Sequence, residues 1–254
     1  MLCAPLMCAI GPSVACAKSA LDYAIDARDY ALAPLEWDGH DWAFAGGSAV
    51  AILAAYSVDR SVKHHFAPPD ATPQGDPNSL RDATPIIALT LGTIGLGAMR
   101  GDSELRSTGY DMAEAAFLGT ASSFALKHAF GRLRPDSTDD PRAWRSGGDS
   151  FPSGHVTAIF AVSQVLANSH DENKWAWRLA GYSLGVATAY ARIDGNVHWL
   201  SDTVAGAALG IATGEFVSHR GQAAGHESAF AFSVQPLHDG AMLGFTLDPY
   251  KLMR

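Results

Sequence analysis

Residues 151–168 read FPSGHVTAIFAVSQVLAN, a proline, a serine, a glycine and a histidine opening directly onto an apolar run. The pattern is that of a helix N-terminus followed by a buried helix, expected over 154–168. Ser153 is of a residue type that caps helices. The backbone N–H groups of a first helical turn lack intrahelical partners, so the same turn is a ready donor set for an anion. His155 stands at that mouth with an imidazole that holds or releases a proton near neutral pH. Taken alone, a capping serine beside an incidental histidine explains the stretch equally well. A serine nucleophile is disfavoured, because the stretch lacks the first glycine of the G-x-S-x-G elbow.

Working outward, apolar periodicity predicts further helices over 19–32, 41–57, 82–99, 104–130, 174–192 and 197–219. Residues 68–85, with five prolines, cannot continue a helix and read as a loop. Residues 132–152 form a polar connection with four aspartates and four arginines, too long for a simple turn and therefore a candidate functional loop. Gly206, Gly210 and Gly214 are spaced four apart and fall on one helix face, where they suit close helix packing. After Gly225 the pattern changes to alternation around His238-Asp239-Gly240, which predicts a terminal β-hairpin over 226–254. The expected fold is all-α, a multi-helix bundle over 18–225 with an active site at helix ends, plus the short C-terminal hairpin.

Of 254 residues, 48% are hydrophobic and 17% charged, which excludes a disordered chain. The 26 acidic and 18 basic side chains leave −8, a balance that argues against a nucleic-acid partner. All three cysteines, Cys3, Cys8 and Cys16, precede Lys18, so no disulfide framework is available to the body of the chain. The stretch 1–17 is small and apolar and ends Ala15-Cys16-Ala17, and is expected to be a signal peptide. That places the mature chain in the periplasm or cell envelope, without a thiol. The longest runs beyond it free of both charge and histidine, 42–58 and 83–99, are 17 residues each. A spanning helix needs about 20. With a mean hydropathy of +0.03, the expectation is therefore buried helices of a compact bundle, with peripheral contact at a bilayer surface left open.

Two more polar clusters interrupt the apolar pattern. In KHAFGRLRP, 127–135, Lys127 and Arg134 are seven apart and share one face if the helix extends that far, although Gly131 can interrupt it. Two converging cations in an acidic chain suggest an anion, and the arginine fork suits phosphate oxygens. A solvated helix end explains this cluster alone. In Arg192-Ile-Asp-Gly-Asn-Val-His198-Trp-Leu-Ser-Asp202, the last two named positions are four apart and are neighbours if both are helical. A carboxylate on one ring nitrogen fixes the tautomer and frees the other nitrogen to attack. A surface pair explains it equally well until all three clusters are taken together. The remaining histidines show no metal-site spacing, so no metal is expected. Asp149 and Asp194 could line the rim of the pocket.

Together the clusters read Lys-x6-Arg-Pro, Pro-Ser-Gly-His and Arg-x5-His-x3-Asp, and this order resembles the signature of the type 2 phosphatidic acid phosphatase superfamily, which includes bacterial non-specific acid phosphatases and vanadium haloperoxidases. One position departs from it: Ala191 stands where the third motif carries a serine. The resemblance implies metal-free hydrolysis of a phosphate monoester or diphosphate, such as a lipid phosphate, through a phosphohistidine. It implies His198 as nucleophile, Asp202 as its orienting carboxylate and His155 as the acid and then the base. Lys127, Arg134, Arg192, Ser153 and Gly154 would bind the phosphoryl oxygens. No cofactor is implied; vanadate would act as an inhibitor. Two other readings are a vanadate-dependent haloperoxidase and a non-enzymatic envelope protein that kept the scaffold.

Overall fold

The computed structural model describes residues 20–66, 80–170, 172–223, 230–237 and 240–247. The helical body consists of α1 (Ala20–Leu32), a 3-10 turn (Ala33–Leu35), α2 (Gly39–Phe66), α3 (Leu80–Arg100), α4 (Ser103–Phe130), α5 (Gly154–Asn168), α6 (Lys174–Asp194) and α7 (Leu200–Ala223). The expected helices are all present, but α3 starts at Leu80 and holds Pro85 inside it, which corrects the loop expected over 68–85 in its last six residues. α2 runs well past its expected end at Ser57, for a reason that emerges at Asp59.

α5 is the axis of the bundle. Every residue from Val156 to Asn168 is buried, as expected of a helix that is apolar on all sides. α7 lies directly against it through the glycine stripe. A Cβ on Gly206 would stand 2.6 Å from the Ser153 carbonyl oxygen, and one on Gly214 would stand 2.6 Å from that of Ala161. Backbone meets backbone there, and no larger residue fits. α4 packs on another side of α5, contributing Met112, Ala115 and Leu118 to a core shared with Val156, Ile159, Val162 and Val217.

Local chemistry sets the ends of these helices. The Asp102 carboxylate accepts from Leu105 N at 2.9 Å and starts α4. Gly131 ends it in the left-handed region, φ 55°, with its N–H on the Lys127 carbonyl at 2.8 Å. Ser153 occupies the N-cap position of α5, but its hydroxyl makes no capping bond. That corrects the capping role its type suggests.

The outer helices depart from the expected compact bundle. Of α2 only Ala55 and Asp59 are buried, and Val50, Leu53, Leu91, Phe117, Phe124, Trp175, Leu179 and Val186 face outward on α2, α3, α4 and α6. Within Gly39–Phe66 and Ala83–Arg100 the chain is long and apolar enough to cross a membrane. The charge-free runs are shorter than the helices that contain them, which is why run length undersold both.

The expected signal peptide, 1–17, lies outside the described residues. At the C-terminus two extended stretches, Phe230–Leu237 and Gly240–Leu247, are described in backbone. The turn at 238–239 and the joint at 224–229 lie outside the described residues, so the fold does not establish the expected hairpin.

Candidate active site

All three clusters meet at one end of the bundle, where α4 and α6 finish and α5 and α7 begin. Lys127 sits in the last turn of α4 and Arg192 in that of α6. Gly154 and His155 open α5, and Asp202 lies in the first turn of α7. These placements depend on where the helices stop.

Lys127 and Arg134 do not share a helix face, because Gly131 ends α4 between them. They meet instead through Asp149. Arg134 donates from Nε to Oδ1 and from Nη2 to Oδ2 of that carboxylate, both at 2.8 Å. Lys127 Nζ donates to the Asp149 carbonyl oxygen. Burial pushes the Asp149 carboxyl up, but the Arg134 bond and the charges of Arg134, Lys127 and His198 outweigh it and hold the group below its usual range. Asp194, by contrast, is exposed at the end of α6.

His198 and Asp202 are not on one helix either. α7 begins at Leu200, so His198 belongs to the turn that enters it. That turn is built on Arg192, whose carbonyl accepts from Val197 N at 3.2 Å and His198 N at 3.3 Å. The Asp202 carboxylate then reaches back, accepting from Trp199 N at 2.9 Å and Ser150 Oγ at 2.5 Å on Oδ2. The same oxygen faces His198 Nδ1 at 3.5 Å, an electrostatic approach in which Nδ1 makes no hydrogen bond among the described residues, and both side chains are buried. Burial drives the imidazole down to about 4, against the pull of Asp202. His198 is therefore uncharged at neutral pH.

Donors for an anion are left over. Arg134 Nη1 and Ser153 Oγ are buried and have no hydrogen-bond partner among the described residues, although a buried polar atom without one is costly. The Ser153 N–H is already used, donating to the Asp202 carbonyl at 3.0 Å. Of the two backbone donors expected near Ser153 and Gly154, only the Gly154 N–H therefore remains a candidate. Ala191, in place of the motif serine, is exposed.

Behind the site lies a buried ionic network that the motifs do not announce. Arg132, inside the Lys-x6-Arg spacer, is fully buried. Its Nη1 donates to Asp202 Oδ1 at 2.5 Å and to Ser201 Oγ at 2.7 Å. Its Nη2 reaches Asp59 Oδ2 at 2.7 Å. Trp144, Trp199 and Tyr56 surround the guanidinium at 4.5, 5.2 and 5.3 Å. Asp59 carried a sequence signal, as the charge that ends an apolar run. Arg132 carried none that separates it from the other arginines of its loop.

The family model of the PAP2 superfamily matches residues 109–225, the stretch that holds all three clusters. Those residues are similar to the PAP2 superfamily. Among curated relatives, a lipid A 1-phosphatase of Porphyromonas gingivalis is 38% identical over 91 residues, covering 36% of this chain and 19% of that protein. A lipid A 1-phosphatase of Rhizobium johnstonii is 33% identical over 92 residues, 34% of this chain and 36% of that one. The chain thus spans 19% and 36% of the length of these two curated relatives. The crystal structure of a transmembrane PAP2-type phosphatidylglycerolphosphate phosphatase from Bacillus subtilis aligns with 80% of this chain and 94% of its own, at 21% identity and a TM-score of 0.43.

Proposed function

We propose that this chain is a phosphoric ester hydrolase that hydrolyses the phosphate monoester of a lipid, passing the phosphoryl group through His198. The observation that carries the reading is a buried, uncharged imidazole with a buried carboxylate on its Nδ1 side. Asp202 holds the proton on Nδ1, which leaves the lone pair on Nε2. Nε2 attacks phosphorus in line as the P–O bond to the lipid breaks, and protonated His155 gives its proton to the leaving oxygen. Neutral His155 then takes a proton from water, whose oxygen attacks phosphorus while the N–P bond breaks. Inorganic phosphate leaves and both histidines return to their starting states.

Lys127, Arg134, Arg192, Ser153 Oγ and the Gly154 N–H hold the phosphoryl oxygens and stabilise the charge that develops on them. The reading needs neither metal nor cofactor, and vanadate inhibits by occupying the same cage. Arg134 can meet a phosphate through Nη1 with Asp149 in place, and presents its whole fork only when it gives up Asp149.

The lipid part of the reading draws support from two directions. Two relatives carry lipid A 1-phosphatase names. The outward apolar side chains of α2 and α3 suit a bilayer better than water, where patches of that kind are rare. With those two helices embedded, the site lies at a membrane face of the cell envelope, on the periplasmic side if 1–17 is a signal peptide. A terminal hairpin over 226–254 remains part of this reading. No observation favours a haloperoxidase or an inert scaffold.

The test is phosphate release in detergent micelles from a lipid A 1-phosphate, a phosphatidate and an aryl phosphate. The lipids are expected to give the higher kcat/KM, and His198→Ala to lose at least about a thousandfold on each. Equal kcat/KM on the aryl ester would remove the lipid assignment and leave the phosphatase.

A further inference from the structure

α2 is apolar and outward-facing along most of its length, yet it carries one carboxylate turned fully inward. Asp59 is 1% exposed. Both of its oxygens are engaged at the head of α7. Oδ1 accepts from Ser201 N at 2.9 Å, and Oδ2 accepts from Ser201 Oγ at 2.6 Å and from Arg132 Nη2 at 2.7 Å. Its partner Arg132 holds Asp202 with the other arm at 2.5 Å. An unbroken line of contacts therefore runs from α2 through Asp59, Arg132 and Asp202 to His198.

We infer that Asp59 is a positioning residue for the His198–Asp202 pair, and that through it α2 sets the geometry of phosphoryl transfer. A charge on a helix that otherwise suits lipid is expensive, and a buried ion pair is weak evidence for stability. Plain packing would be better served by an apolar residue. What Asp59 adds is direction. Together with the Pro141 carbonyl, which accepts from Nε at 3.2 Å and Nη2 at 2.9 Å, it holds one side of Arg132, so that Nη1 is left for Asp202 Oδ1, and it fixes the Ser201 backbone beside Asp202. The Oδ2 edge of Asp202 then stays turned to Trp199 N, Ser150 Oγ and His198 Nδ1. Without the Asp59 charge, that side of Arg132 is held by the Pro141 carbonyl alone, and the guanidinium can shift toward Asp202 and draw the carboxylate away from the imidazole.

The inference rests on the phosphohistidine reading above, and the experiment separates the two. Asp59→Asn keeps the shape and the acceptor for Ser201 N but removes the charge. Its kcat is expected to fall about 10- to 100-fold, with KM changed less than about threefold. Inhibition by vanadate, which imitates the transition state, is expected to weaken in step with kcat, whereas product inhibition by inorganic phosphate is not. A purely structural role would weaken both inhibitors together and would overturn the inference. So would full kcat in Asp59→Asn. If that variant does not fold, Ser201→Ala removes one bond to Asp59 and one from Arg132 and keeps every charge; a loss in kcat of about three- to tenfold with the same split between inhibitors supports the inference, and unchanged kcat overturns it. A wild-type chain that releases no phosphate removes the parent reading, and this inference with it.

Discussion

Arg134 grips Asp149 through both ends of its fork, Nε on Oδ1 and Nη2 on Oδ2, each at 2.8 Å. A carboxylate thus occupies the planar face that a phosphoryl group would use, and it does so from the same loop that brings Arg134 to the pocket. The pair is partly exposed, with the Asp149 side chain at 60%, so holding the fork costs an incoming anion little, about 1 kcal/mol or less. Asp149→Asn is expected to lower the inhibition constant of inorganic phosphate about two- to fivefold. A rise in that constant would show that Asp149 helps to assemble the cage and does not compete for it.

The depressed basicity of His198 should be visible in stability. The imidazole is protonated below about 4 in the folded chain and below about 6.5 in the unfolded one. Above pH 6.5 neither state is charged and the group is neutral to stability. As pH falls from 6.5 to 4 the unfolded chain takes the proton and the folded chain does not, so stability is lost across that window. Below about 4 the loss stops growing. Thermal unfolding of wild type and His198→Gln in the same detergent, measured from pH 7 to pH 4, is expected to show the variant losing less stability with acid. Parallel curves would contradict the assignment of a buried neutral histidine.

Packing between α5 and α7 supplies a prediction independent of chemistry. A Cβ on Gly214 would lie 2.6 Å from the Ala161 carbonyl and 2.7 Å from Gln164 Cβ. Gly214→Val must push the helices apart, and is expected to cost about 1–3 kcal/mol or more. Gly92, whose added Cβ meets nothing within 4 Å, is the control, and Gly92→Ala should leave the melting temperature unchanged or slightly raised. Equal effects at both positions would contradict the close α5–α7 contact.

The sequence is most informative where chemistry and periodicity coincide. α5 is legible at both ends, because a polar quartet opens it and the run stays apolar until Asn168. The convergence of the three polar clusters is legible because each combines charge or histidine with a helix boundary, and the fold brings those boundaries to one end. The geometry inside each cluster is less legible. Spacing put Lys127 and Arg134 on one face only if the helix ran past Gly131, which instead ends α4 as the expected boundary at 130 requires, and it put His198 with Asp202 on one helix, whereas α7 starts at Leu200, three residues after the expected 197. Asp59 shows the deeper difficulty. A charge after an apolar run reads as the end of a helix, and only its pairing with Arg132, far away in sequence, lets α2 continue through it. Nor can apolar period distinguish a face that meets protein from one that faces outward, which is why α2 and α3 were expected inside the bundle.

The central claim is that phosphorus passes through His198, and trapping the intermediate tests it most directly. Wild-type protein would be mixed in detergent with a phosphatidate labelled in its phosphate, quenched within the first turnover and kept at alkaline pH, where a phosphoramidate survives. Peptide mass spectrometry is expected to find the label on His198, with none on the protein in His198→Ala. Label on another side chain, or phosphate release by His198→Ala at the wild-type rate, would contradict the account.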